Sequence, residues 1–528
     1  MASVGIVNAD TPKTQDPMNT TNRPKKLYFG VFFDGTGNNM IQKETAEKYR
    51  EQQRLNEKDK DWDLRLNNKL NKYGANDLPI KSLDKKAAAL LSNDEMSDIS
   101  TRGSGYSNVA ILHSVYQAMS ESQYKKLRES YDIYRYNIYV EGAGTDAIND
   151  GSNLLGSGFG NGDTGVVALV SKAVMMVSNI VKGFKIARPE IHFDVFGFSR
   201  GATCARLFAF LVAREGEVLG GESKFKKFQA SSLYKNNKLC FLDEDEFSKK
   251  SVDFLGIYDT VSSIGITYDN NVKDYGLYSP TLAKVKNTFH LCAVDEFREH
   301  FALTDIGKAA NTSNAELFIP GCHSDVGGGY MLQNETFSLI YRPNLSEKNR
   351  IYTENPQSKS GTTEEISAES LFTLGWVYSK GETFTNYVTG YIDCNREKVL
   401  GGYSNIPLRM MVRRAKIKTS FEKFSNFPAG RFDIPKRLSK IGQEMLALAN
   451  SSSGRKWYYP DGSYSSLQYR ILRHTYLHFS STDTLIDTNE LSKTSVVHSP
   501  SKKGNTICRI VYSGNPDNSS PKYMCDYN

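Results

Sequence analysis

Gly197-Phe198-Ser199-Arg200-Gly201 decides the fold. These residues follow the apolar run Ile191-His192-Phe193-Asp194-Val195-Phe196 and precede a helix-like segment, 202–213. Strand, G-x-S-x-G and helix in that order form the context of a nucleophile elbow. Its tight turn lifts a serine hydroxyl to the end of a sheet and aims a helix N-terminus at it. Only glycine fits beside the serine in so sharp a turn. Ser199 is the candidate covalent nucleophile.

Outward from this turn, short apolar, β-rich runs alternate with longer helical stretches. That rhythm predicts an α/β fold, a mostly parallel sheet with helices on both faces. The strand candidates are 27–33, 134–141, 190–196, 252–258, 288–294 and 315–319. Chemistry in open α/β sheets collects at the carboxyl ends of strands. Those ends carry Asp34-Gly35-Thr36-Gly37-Asn38, Gly142-Ala143-Gly144-Thr145, Ser199, Asp259, Asp295 and His323. The apolar stretch 166–181 is short for a bilayer and has Lys172 near its centre, so it reads as a helix packed on the sheet.

The 528 residues carry a formal charge of +7 and 39% hydrophobic side chains, enough for a large core. Basic residues are scattered rather than gathered in a stripe, which argues against nucleic-acid binding. The seven cysteines are odd in number and include no C-x-x-C, so no disulfide framework is expected and a reducing cytosol fits the chain. Residues 1–26 form a polar tail without an apolar core, so no signal peptide is expected. Residues 27–379 read as the catalytic domain, with charged insertions at about 41–100 and 220–250. Residues 334–361 read as a long loop. Thr362 and Glu365 then form a capping-box pattern before an amphipathic helix through Leu371, Leu374 and Trp376. Residues 380–497 read as a mainly helical accessory region, and 498–528 as a poorly ordered C-terminal tail. Leu408, Met411, Val412 and Ala415 recur at helical spacing there, with Arg409, Arg413, Arg414, Lys416 and Lys418 largely off that stripe.

A serine hydroxyl needs a base within hydrogen-bond reach and a third group to orient that base. Among eight histidines, His323 stands out in Pro320-Gly321-Cys322-His323-Ser324-Asp325-Val326-Gly327-Gly328-Gly329-Tyr330, a glycine-rich loop after the last strand. His192 and His290 lie within strands, and His300 is the rival base. The order Ser, acid, His leaves Asp259 and Asp295 as candidate acids, each ending a strand. The tight turn after Asp259 favours it, whereas Asp295, Glu296 and Arg298 equally suit a structural ion-pair cluster. Asp325 is a third option, two residues from His323. Backbone N–H groups of Arg200, next to the nucleophile, and of Asp34 or Gly35 are the candidate oxyanion donors. The 34–38 loop matches neither phosphate-binding glycine pattern. Asp34 and Asn38 are the candidate ligands should a cation bind. Cys322 reads as a packed residue rather than a nucleophile.

FDGTGN at 33–38, GFSRGA at 197–202, YDTVSSIG at 258–265, AVDEFREHF at 293–301 and PGCHSDVGGGY at 320–330 together resemble the type VI secretion phospholipase effectors of the α/β-hydrolase type, the first lipase-effector family. The resemblance runs from about residue 27 to 378, with a weaker likeness in YLHFSS at 476–481. It implies a triad of Ser199, Asp259 and His323, and so chooses Asp259 over Asp295. It also implies hydrolysis of glycerophospholipid acyl esters, of A1 or A2 type, with no cofactor. The implied setting is synthesis in a bacterial cytoplasm, export without a signal peptide and action in a rival's periplasm. The implied partners are membrane phospholipid, a spike protein and a cognate immunity protein. A hydrolase of another acyl ester, or a non-catalytic adaptor keeping the fold, are the alternatives.

Overall fold

The computed structural model describes residues 4–5, 25–36, 38, 40, 106–116, 133–143, 165–184, 188–213, 249–264, 269–270, 277, 279–309, 314–330, 333–340, 375–376, 383–386, 391–418, 424, 427, 432–451, 453–463, 466–481, 502–503, 506–514 and 520–525. The expected insertion at 41–100, nearly all of that at 220–250, and most of the helix expected after 362 lie outside these residues.

The sheet strands are β1 (Val4–Gly5), β2 (Lys26–Phe33), β3 (Ile133–Val140), β4 (Glu190–Phe198), β5 (Lys249–Tyr258), β6 (Thr288–Ala293) and β7 (Ala315–Ile319). All six strand candidates are present, with ends shifted by a few residues at most. Strand order is β1-β3-β2-β4-β5-β6-β7, and a last strand at Gly454–Trp457 pairs with β7. The short β1 runs antiparallel and every other neighbour pair runs parallel. The expected α/β fold is the observed one. Strands buried on both faces need nearly continuous apolar sequence, and Lys26–Phe33 (KLYFGVFF) and Glu190–Phe198 (EIHFDVFGF) supply it.

Period-2 alternation sorts the side chains into two cores. Leu27, Phe29, Val31 and Phe33 face α2 (Val166–Phe184) and α3 (Arg200–Ala213). The stretch that could be mistaken for a membrane span is thus a helix laid on the sheet. Among the described residues no helix is long and apolar enough to cross a membrane. Phe32 and Phe196 point the other way and stack at 4.9 Å. They pack with α1 (Asn108–Val115) and with the buried Leu408, Met411 and Ala415 stripe of Asn405–Lys418.

The region expected to be mainly helical, 380–497, holds strands as well as helices among its described residues. Gln333–Ile340, part of the expected loop, is a strand, and it joins Thr383–Asn386 and Tyr391–Val399 in an antiparallel sheet. Helices do occupy Asn405–Lys418, Ser439–Ser451 and Leu467–Tyr476. The three arginines of the first are tied down: Arg409 to Asp433, Arg413 to Asn450, and the buried Arg414 to the Ala449 carbonyl. The expected tail forms Thr506–Tyr512, paired with Lys522–Cys525 and with residues 303–304. Cys508 is disulfide-bonded, and the residue opposite it in the strand register is Cys525. An odd count argues against a framework, but one cross-strand bridge needs only two facing cysteines. Cys204, Cys292, Cys322 and Cys394 are free and buried.

Parallel register brings the strand ends into line. Phe33 lies beside Gly197, Phe198 beside Tyr258, Tyr258 beside Leu291, and Ala293 beside Ile319. The chain passes from β2 to β3 on one side and then to β4 on the other, so the order reverses at β2 and β4, the kind of switch point at which open α/β sheets place their ligands. Phe32→Ala should test the second core. It empties a fully buried ring site and should cost about 3–5 kcal/mol. The expected readout is a lower denaturant midpoint at unchanged m-value.

Candidate active site

Ser199 sits between β4 and α3 with φ 60° and is almost wholly buried. A non-glycine residue in the left-handed region persists only where its surroundings fix it. Here the Ser199 N–H donates to the Tyr258 carbonyl at 3.1 Å, and its carbonyl accepts from Ala202 at 3.0 Å and Val261 at 3.3 Å. The glycines are steric necessities. A β-carbon at 201 would lie 2.3 Å from the carbonyl oxygens of Phe33 and Asp34, and one at 197 would lie 2.4 Å from that of Gly201.

Those backbone bonds hold Ser199 to both sides of Asp259. Asp259 is fully buried, also has positive φ (42°), and donates its N–H to Leu291 at 2.8 Å. Its Oδ1 accepts from the Ala293 N–H at 2.9 Å, and its Oδ2 lies 2.6 Å from His323 Nδ1. His323 opens a short helix, His323–Gly327, and donates its N–H to Glu296 Oε2 at 3.1 Å. Its ring lies against Phe198 at 4.5 Å and takes the edge of Phe301 at 5.0 Å. Phe198 adjoins Ser199, so one ring connects the serine turn to the imidazole.

Burial pushes the His323 imidazole down from its ordinary 6.5, and this outweighs the opposing pull of Asp259. The ring is neutral at pH 7 and able to accept a proton. Burial alone would push the Asp259 carboxyl up. The Arg509 guanidinium, the His323 contact and the Ala293 amide overcome it and hold the acid below the ordinary carboxylate range. Arg509 comes from the strand Thr506–Tyr512, where its fully buried Nη2 lies 2.9 and 3.0 Å from the two Asp259 oxygens. The sequence reading missed it, and an arginine in a tail of polar composition carried no signal.

The other candidates are placed elsewhere. Asp295 faces Arg473 at 2.8 Å, the Tyr469 hydroxyl at 2.7 Å and the Gly321 N–H at 2.7 Å, anchoring the helix Leu467–Tyr476. Asp325 accepts from the Cys322 N–H at 3.0 Å and lies 2.8 Å from His478 Nδ1. Ser480 donates to Glu296 at 2.9 Å, and Glu296 also takes Arg298 at 2.8 Å. The weak likeness at 476–481 therefore marks residues that brace the His323 loop. His300 lies in the 3-10 turn Glu299–Phe301. The Cys322 thiol is pushed well up by burial and stays protonated.

Among the donor candidates, the Arg200 N–H heads α3, and the Arg200 side chain reaches Thr36 Oγ1 at 2.5 Å. The Asp34 N–H donates to the Val140 carbonyl at 3.0 Å. The Gly35 N–H donates to Asp34 Oδ1 at 2.7 Å, while Tyr139 holds Oδ2 at 2.5 Å. Those bonds give the Asp34 carboxylate a loop-fixing role. His290, Cys292 and Glu316 have metal-ligand spacing, but His290 bonds Glu316 at 2.9 Å and the Thr260 N–H at 3.2 Å, and Glu316 also takes Arg455 at 2.6 Å. This group is a satisfied polar core.

Residues 93–347 match the family model of the type VI secretion system phospholipase effector, Tle1-like, catalytic domain. Over that stretch, just under half of the chain, the sequence is similar to Tle1-like catalytic domains. The family is one of phospholipases, hydrolases that are effectors of that secretion system. Ser199, Asp259 and His323 lie within the matched stretch, and Arg509 lies outside it. No curated protein matches the sequence. A solved structure described as the Tle1 effector bound to the VgrG spike from the type 6 secretion system is 17% identical. The match covers 97% of this chain and 100% of that one, with a TM-score of 0.48. An uncharacterized protein from Pseudomonas aeruginosa is 18% identical, with coverage of 58% and 42% and a TM-score of 0.26.

The protein should lose stability in mild acid. The folded His323 pKa lies below its unfolded value of 6.5, so the unfolded chain binds the proton more readily. Stability is therefore intact above that value and lost as pH falls below it. His323→Gln should flatten part of this slope in denaturant titrations from about pH 7 to about pH 5. His113, pushed down to about 4 by burial, and His300, also pushed down by burial, preserve the rest.

Proposed function

We propose that the protein is a serine esterase that cleaves acyl ester bonds of glycerophospholipids, with Ser199 as nucleophile, His323 as base and Asp259 as its orienting acid. The observation that carries this reading is the buried 2.6 Å contact between Asp259 Oδ2 and His323 Nδ1, beside a serine in a strained elbow. With Nδ1 turned to the carboxylate, the imidazole is neutral and its Nε2 is the proton acceptor. The Ser199 hydroxyl attacks the ester carbonyl as Nε2 takes its proton. The Arg200 N–H at the head of α3 meets the oxyanion. Gly35 supplies the second donor, giving up its bond to Asp34 as charge develops. The tetrahedral intermediate collapses, and Nε2 protonates the departing lysophospholipid alcohol. Water, deprotonated by the same nitrogen, releases the fatty acid. No cofactor takes part.

The phospholipase family match supports the substrate class, and the type VI assignment supports delivery to a rival bacterium. In this reading a spike protein carries the effector, the target is the rival's periplasmic membrane face, and an immunity protein guards the producer.

Ser199→Ala should abolish both phospholipid hydrolysis and labelling by a fluorophosphonate. Asp259→Asn should lower kcat by about 10⁴, the loss seen when a triad acid becomes an amide. Asp295→Asn should reduce thermal stability through its Arg473 and Tyr469 contacts while changing kcat far less. The reverse ranking would overturn the acid assignment. The acid limb of kcat/KM should fall below the ordinary histidine value of 6.5, since the free enzyme's base is held down by burial. Product analysis on a phospholipid with different chains at its two ester positions reads out the bond cut.

A further inference from the structure

We infer that Arg509 is a positioning residue for the reaction: through its contact with both Asp259 oxygens, the strand Thr506–Tyr512 completes the active site from outside the matched catalytic domain. This inference rests on the triad reading above. A guanidinium at zero exposure carries a large desolvation cost, so it persists only with a close counter-ion. The counter-ion here is Asp259. Three groups from three elements converge on that carboxylate: the Ala293 N–H of β6, Nδ1 of His323 and Nη2 of Arg509. Together they leave the carboxylate one orientation, with Oδ2 aimed at the imidazole.

The strand that delivers Arg509 is held at both edges. On one side Val511 and Tyr512 pair with Leu303 and Thr304, just beyond the Phe301 ring that touches His323. On the other it pairs with Lys522–Cys525, and Cys508, the residue before Arg509, is fixed by a disulfide. The Asp305 N–H donates to the Tyr512 carbonyl at 3.0 Å, and Gly514 donates back to Asp305 at 2.8 Å. Such a strand holds its side chain in place.

Arg509 also sets the basicity of the pair. It shares Oδ2 with His323, so it competes with the imidazolium for the same oxygen. Among the described residues, the other charged or titratable groups facing the pair are Glu296 and Arg298 after β6 and the thiol of Cys292 on β6. With Arg509 removed, Asp259 protonates more readily, and the imidazolium has the carboxylate to itself. Both changes move the acid limb to higher pH.

The test is kinetic, with the full chain and dihexanoyl phosphatidylcholine as a soluble substrate. Arg509→Met should lower kcat by about 10²-fold, the scale of a misplaced catalytic group. It should also shift the acid limb of kcat/KM upward. Arg509→Lys should recover part of kcat and leave the limb near its wild-type position. The double variant Asp259→Asn with Arg509→Met should be no slower than Asp259→Asn alone, because Arg509 acts through that carboxylate. A purely structural arginine predicts additive losses and an unmoved acid limb, and either result overturns the inference. If Arg509→Met does not fold, the same cycle with Arg509→Lys decides by the same criterion. Ser199→Ala, run alongside, separates the two readings. If it keeps turnover, the triad reading fails; if it is inert while Arg509→Met matches wild type, the positioning role fails by itself.

Discussion

A carboxylate with no exposure to water stays ionised only where charge and hydrogen bonds replace its hydration. Asp259 meets that demand with an amide, an imidazole and a guanidinium. These arrive from β6, the loop after β7 and a strand near residue 509, so satisfying one side chain draws together three distant parts of the chain. The backbone around it serves the same end. The carbonyl of Tyr258 and the N–H of Val261 both bond to Ser199, which couples the acid turn directly to the elbow.

Much of this was legible in the sequence, for physical reasons. Parallel strands are buried on both faces, and residues 26–33 and 190–198 read as continuous apolar runs. The elbow glycines are demanded by contacts closer than any side chain tolerates, so their spacing survives as a readable pattern. Asp259 and Asp295 could not be ranked by position alone, since both end neighbouring parallel strands. Their difference lies in what reaches them, an imidazole in one case and Arg473 with Tyr469 in the other.

The C-terminal residues were the least legible. Ser, Pro and Asn between 498 and 528 suggested a tail, yet Thr506–Tyr512 is a strand with the fully buried Cys508 and Arg509. Composition reports average hydrophobicity, and a strand fixed by cross-pairing and one covalent bridge does not need a high average. The loop after β2 shows the same limit. Position pointed equally to the Asp34 and Gly35 amides, and each has an acceptor within the protein, the Val140 carbonyl for one and the Asp34 carboxylate for the other.

The reach between Asp259 and Arg509 spans 250 positions along the chain. Contacts that distant form late, because loop closure must come first and rewards nothing until it is done. During synthesis, the segment holding Ser199, Asp259 and His323 leaves the ribosome well before the arginine does. In the proposed reading, competence waits until residue 509 has been made and paired with Asp259.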